Sequence, residues 1–124
     1  GDDVAIIACG VMVNEALEAA EMLAKSGIQA TVVDMHTIKP LDTKLVTELA
    51  KRCGALVTAE DHSIIGGLGG AVAECLVSHY PVPLERIGVQ DRFGESGGSD
   101  ELLEMLNMKA KNIADAAQRA ISRT

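Results

Sequence analysis

Four times along this chain, a short apolar run rich in β-branched residues gives way to a segment whose apolar residues recur at helical spacing. That alternation constrains the fold more than any other feature. Parallel strands cannot be joined by tight turns and need crossovers, and helices are the usual crossovers. Val4-Ala-Ile-Ile-Ala-Cys9 is nearly unbroken in its apolarity, as expected of a strand covered on both faces. Val13, Ala16, Leu17, Ala20, Leu23 and Ala24 then form a helical stripe, with Glu15, Glu18, Glu21 and Lys25 on the other face and Gly27 as a stop. Ala30 to Asp34 reads as a second strand. Asp42 is an N-cap for a helix through about Arg52, with Gly54 as its stop. Leu56 to Glu60 is a third strand, and a glycine-rich loop leads into a helix through His79. Arg86 to Val89 is a short fourth strand. Ser99 caps a short helix through about Leu106, and a last helix spans about Lys109 to Ile121. The expected fold is a three-layer α/β/α domain around a mainly parallel sheet of four to five strands.

The 124 residues suit one domain, residues 1–124, with no linker, repeat or low-complexity stretch. Apolar residues make up 48% and aromatics only 2%, so the core must be aliphatic. A net charge of −7 disfavours nucleic acid and anionic membranes as partners. No apolar run approaches the ~20 residues of a membrane helix. Cys9, Cys53 and Cys75 are far apart, and Cys9 and Cys75 read as buried small hydrophobes in a reducing, cytoplasmic compartment. The first strand starts almost at once and without a Met, so Gly1 reads as a cloning scar on a piece of a longer chain.

Open α/β sheets bind ligands at the carboxyl ends of their strands, and four groups of residues are expected there. Glu60-Asp61-His62 ends the third strand; it offers an acid–base pair, or else carboxylates that bond loop backbone beside an interfacial His. Gly66, Gly67, Gly69 and Gly70 precede or open a helix, where exposed amides suit an anion and glycines equally suit tight turns and close packing. Their spacing matches neither G-x-G-x-x-G nor a P-loop. His36 and Lys39 follow the second strand. Arg92, in the loop from Asp91 to Gly98, could grip a carboxylate or phosphate, or simply hold a turn docked by Phe93. His36, His62 and His79 lie on separate elements, so no metal site is expected, and no nucleophile motif is present.

Four ordered blocks carry a family resemblance. They are Asp3 to Gly10 with Asn14 to Leu17, Val33 to Asp42 (containing Ile-Lys-Pro-Leu-Asp), Val57 to His62 with Gly66 to Gly69, and Arg92 to Gly97. Together they resemble the C-terminal domain of transketolase. Deoxyxylulose-phosphate synthase and the β subunit of 2-oxoacid dehydrogenases share the layout, but the Glu60-Asp61-His62 spelling favours transketolase. Phe93-Gly-Glu-Ser-Gly97 is similar to the version in transketolases split into two subunits.

The resemblance implies a parent enzyme that moves a two-carbon ketol unit between sugar phosphates, using thiamine diphosphate and Mg. Two other domains, one binding the diphosphate and one the aminopyrimidine, would hold that cofactor, usually across a dimer interface. This chain would pack beside them and support a homo-oligomer, with no catalytic, cofactor-binding or metal-ligating residue of its own. The alternatives are the C-terminal domain of deoxyxylulose-phosphate synthase or of a 2-oxoacid dehydrogenase β subunit, or a small-anion or regulatory binding module. The family domain carries an additional antiparallel strand before the one at Val4. Without it, four strands in the order two-one-three-four are expected, with lost cover along strand one's side of the sheet or at its ends.

Overall fold

A computed structural model describes residues 2–37, 40–63, 67–89 and 100–124, with His62 and Ser63 described by their backbone only. The chain order is β1 (Val4–Ala8), α1 (Met12–Lys25), β2 (Ala30–Asp34), α2 (Thr43–Cys53), β3 (Leu56–Ser63), α3 (Leu68–His79), β4 (Leu84–Val89), α4 (Asp100–Met105) and α5 (Ala110–Ser122). The four strands are parallel, in the order β2-β1-β3-β4. β1 is fully buried along its length, as its unbroken apolar run requires. Alternate residues of β1 serve different layers. Val4, Ile6 and Ala8 pack with α1 and α5, while Ala5 and Ile7 pack with α2 and α3.

Local chemistry ends the helices where the sequence indicates. Gly27 takes φ +82, and Ile28 and Gly27 donate back to the carbonyls of Leu23 and Ala24 at 2.9 and 3.0 Å. This pairing satisfies the last turn of α1 and turns the chain into β2. Asp42 caps α2 by accepting from Leu45 N–H at 3.0 Å.

Several expectations need correction. The strand order two-one-three-four is as expected, with β1 interior and, among the described residues, β2 and β4 at the edges, so an uncovered edge would lie there and not along β1. β3 runs three residues past Glu60, because pairing with β4 resumes at Ser63–Val89 after an irregularity. β4 begins at Leu84, two residues early. Cys9 is only half-buried, because it sits just beyond the last covered residue of β1. On α1, Leu17 is 51% exposed while Glu15 is buried. The fold buries Met12, Glu15, Ala16, Ala19 and Leu23 instead, a stripe rotated toward α5. The expected cap at Ser99 lies outside the described residues.

Candidate functional site

All four strands run the same way, so their carboxyl ends open on one edge. Cys9 and Gly10, Asp34 to His36, and Glu60 with Asp61 meet there. Glu60 sets the geometry. It is fully buried, and its two carboxylate oxygens each accept an N–H at 2.8 Å, Oε1 from Leu68 and Oε2 from Gly69. These are the first amides of α3, whose N-cap, Gly67, offers no side-chain partner. A carboxylate is what such a helix start attracts. The two amides that could cradle an outside anion are thus taken up within the chain. Gly69 has a packing reason as well. A Cβ there would lie 2.9 Å from Arg86 Cδ and 3.1 Å from Thr58 Oγ1, a buried hydroxyl with no hydrogen-bond partner among the described residues.

Around Glu60 the edge is acidic. Gly10, at φ +64, lets the β1–α1 turn pass Asp61: a Cβ there would come within 3.2 Å of Asp61 Oδ1. The Cys9 thiol is pushed up to about 11 by burial first, then by the carboxylates of Glu60, Asp61 and Asp34. It stays protonated near neutrality and is a poor nucleophile. His36 Nδ1 lies 3.7 Å from Asp34 Oδ1, both side chains well exposed. His36 also lines a shallow cavity of about 390 Å³ with Met35, Pro40, Asp42 and Leu45. A larger groove of about 760 Å³, lined by Lys44, Thr47, Glu48, Lys51 and His79, lies against α2 rather than at the strand ends.

The structure therefore brings Glu60, Asp61, Gly67 and Gly69 together and places Gly70 in the first turn of α3, with His36 on the neighbouring loop. Lys39, Gly66, Arg92 and the side chain of His62 lie outside the described residues. Sequence reasoning missed Glu15. It accepts from Ala110 N–H at 2.9 Å, and Lys109 Nζ lies 3.5 Å from it. The signal was the start of α5. Lys109-Ala110 provides no Ser, Thr, Asp or Asn cap, so acceptors must come from elsewhere: Glu15 for Ala110 and Asn112 for Lys109 N–H.

The cofactor implied by the resemblance carries a diphosphate and a divalent metal. Among the described residues, no three His, Cys, Asp or Glu side chains converge on a point that could hold a metal. The amides at the start of α3 are occupied by Glu60, and the surrounding edge is negative. The described residues do not fit the group, while Lys39, Arg92 and the His62 side chain lie outside them.

Comparison with known proteins agrees with the fold. The family model described as "Transketolase, C-terminal domain" matches residues 1–113. The 6-deoxy-6-sulfo-D-fructose transketolase subunit SqwH of Clostridium sp. (strain MSTE9) is 53% identical over 123 residues, covering 99% of this chain and 38% of that protein. The 1-deoxy-D-xylulose-5-phosphate synthase of Gloeothece citriformis is 42% identical over 125 residues, covering 100% of this chain and 20% of the enzyme. A solved structure described as "Split gene transketolase, inactive beta4 tetramer" superposes with a TM-score of 0.90 at 50% identity, over 98% of this chain and 39% of that one. The chain spans only 20% to 39% of the length of these relatives. With a family model covering nearly all of it, this chain belongs to the transketolase C-terminal domain family.

Proposed function

We infer that this chain is the C-terminal support and assembly domain of a longer, cytoplasmic transketolase that transfers a two-carbon ketol unit between sugar phosphates. Thiamine diphosphate and Mg would be bound by the diphosphate-binding and pyrimidine-binding domains or subunits, and the chain by itself would turn over nothing. The observation that carries this reading is the near-complete superposition on a split-gene transketolase at 50% identity. Two features support the division of labour. Among the described residues the strand ends carry the carboxylates of Asp34, Glu60 and Asp61, and the start of α3 is already paired with Glu60. The single-subunit "beta4 tetramer" of that relative supports a role in homo-oligomeric assembly. The Clostridium subunit makes a 6-deoxy-6-sulfo ketose a substrate to try first.

The test is reconstitution. The purified chain, the remainder of its parent, and the two together are assayed with thiamine diphosphate, Mg²⁺, a ketose donor and an aldose phosphate acceptor. Ketol transfer is expected only from the combination or the intact parent. Turnover by this chain alone, or full activity of the remainder without it, would overturn the reading. A second reading rests on the match of the whole of this chain to 20% of a 1-deoxy-D-xylulose-5-phosphate synthase. It predicts that the same reconstituted proteins show no ketol transfer but form a 1-deoxy-ketose phosphate when a decarboxylating 2-oxoacid donor of the CH3–CO unit replaces the ketose.

A further inference from the structure

We propose that the groove between α2 and the end of α3 binds an elongated, hydroxylated small molecule with an acidic group at each end, of the bisphosphorylated-sugar class. This site goes beyond the supporting role inferred above and does not depend on it.

The groove runs against the charge of the chain. Asp and Glu outnumber Lys and Arg by 18 to 11, for a net charge of −7. Yet Lys44, Lys51 and Arg52 all line this one groove, against only two carboxylates, Asp42 and Glu48. Most of the other charges there are already engaged. Asp42 Oδ1 accepts from Leu45 N–H, so that carboxylate serves the start of α2. Arg52 Nε lies 3.5 Å from Asp2 Oδ1. Lys44 and Lys51 remain. Glu48 stands four residues from one and three from the other, the spacings at which helical ion pairs form. The ion pairs among the described residues nevertheless involve neither lysine. Lys51 Nζ sits 5.8 Å from the centroid of the Tyr80 ring, a contact that holds the ammonium without neutralising it.

The spacing of the two ammoniums selects the ligand. Lys44 and Lys51 are seven residues apart on α2, so they leave nearly the same side of the helix about 10 Å apart along its axis. A lone phosphate cannot span both, whereas a sugar-length body with an acid at each end can. Thr47 lies between them, and its Oγ1 is 3.9 Å from Cys75 Sγ, which sets this side of α2 against α3. His79 forms the α3 side of the groove. Its Nδ1 lies 2.9 Å from the Cys75 carbonyl, which can only accept, so Nδ1 carries the proton and Nε2 of the neutral ring is an acceptor. A threonine hydroxyl and an imidazole acceptor suit the hydroxyls of a body held between two charged ends. The volume, about 760 Å³, falls among those of small-molecule sites.

The test uses the whole chain and fructose 1,6-bisphosphate as the probe, titrated at low ionic strength by calorimetry and by amide NMR. Saturable one-to-one binding is expected, with shifts centred on Lys44, Thr47, Lys51 and His79. Fructose 6-phosphate and inorganic phosphate should each bind about 5-fold more weakly, since each can reach only one lysine. Lys44→Gln and Lys51→Gln should each weaken the bisphosphate about 5-fold. Lys111→Gln makes the same change of net charge at an exposed position of α5 and should leave affinity unchanged. No saturation at millimolar concentration would overturn the proposal, as would shifts centred away from α2 and the end of α3. Equal affinity for inorganic phosphate, or an equal loss in Lys111→Gln, would do the same, because either would reduce the binding to general charge attraction.

Discussion

Replacing Glu60 by Gln is the most informative perturbation of the strand-end edge, because it keeps shape and volume and removes one acceptor. In the native chain both oxygens accept 2.8 Å bonds from Leu68 and Gly69, with the whole side chain out of contact with water. A primary amide can accept from only one of those N–H groups and must point its own donor at the other. One bond becomes neutral, the second becomes a donor–donor contact, and an N–H at the start of α3 loses its partner. Hydrogen bonds to charged groups contribute about 1.5–3 kcal/mol and an orphaned buried donor costs about 1–3 kcal/mol. Together with the lost charge–dipole attraction, Glu60→Gln should cost about 3 kcal/mol. For a domain of this size that lowers Tm by roughly 10 °C. Urea titration should show a lower midpoint at unchanged slope, and amide exchange should accelerate first at Leu68 and Gly69. A loss below about 1 kcal/mol, or acceleration spread evenly over the chain, would refute the idea that Glu60 is the structural cap of α3. Added phosphate that restored the variant's Tm would show that the vacated amides can accept an outside anion.

Three further outcomes follow from the same geometry. Gly69→Ala should destabilise by about 1–2 kcal/mol in thermal or urea unfolding despite alanine's better helix propensity, because Arg86 can yield but the buried Thr58 hydroxyl cannot. Glu15→Ala should cost about 2 kcal/mol and fray the start of α5, seen as faster exchange at Ala110, since it strips both a buried acceptor and the partner of Lys109. The Cys9 thiol is raised from 9.0 to about 11 in the folded chain, so the folded state holds its proton longer than the unfolded one. Its contribution is fully present below pH 9 and is lost as pH rises through 11. Wild type should therefore lose more stability than Cys9→Ala across that interval, and alkylation of Cys9 at pH 8 should be far slower than that of an ordinary exposed thiol.

The parts legible in the sequence were those governed by local period and local chemistry. Val4 to Ala8 announces a doubly covered strand because no position in it tolerates water, and it is the central strand. Asp42, Gly27 and Gly54 mark helix ends because their conformational or capping demands are set within a few residues. What could not be read was decided by contacts distant in sequence. Glu15 looks like a solvent-facing acid until α5, 95 residues away, brings the Ala110 amide to it. Leu17 looks like core until the rotation of α1 toward α5 turns it outward. Glu60 was legible as a candidate but not as a cap, since the choice depended on where the start of α3 would fall relative to a strand end.

Glu15 and Glu60 solve one problem from opposite faces of the sheet. Each sends a buried carboxylate from one element to the uncapped start of a helix farther along the chain, α1 to α5 and β3 to α3. Both starts lack a side-chain cap of the Ser, Thr, Asp or Asn kind, so each helix is anchored by the body of the domain rather than by its own loop. This arrangement makes the positions of α3 and α5 rigid consequences of the sheet. It also fills the carboxyl edge with negative charge that is already committed to internal partners. Among the described residues, the helix-start amides at the strand ends that could hold a phosphate are already paired with Glu60.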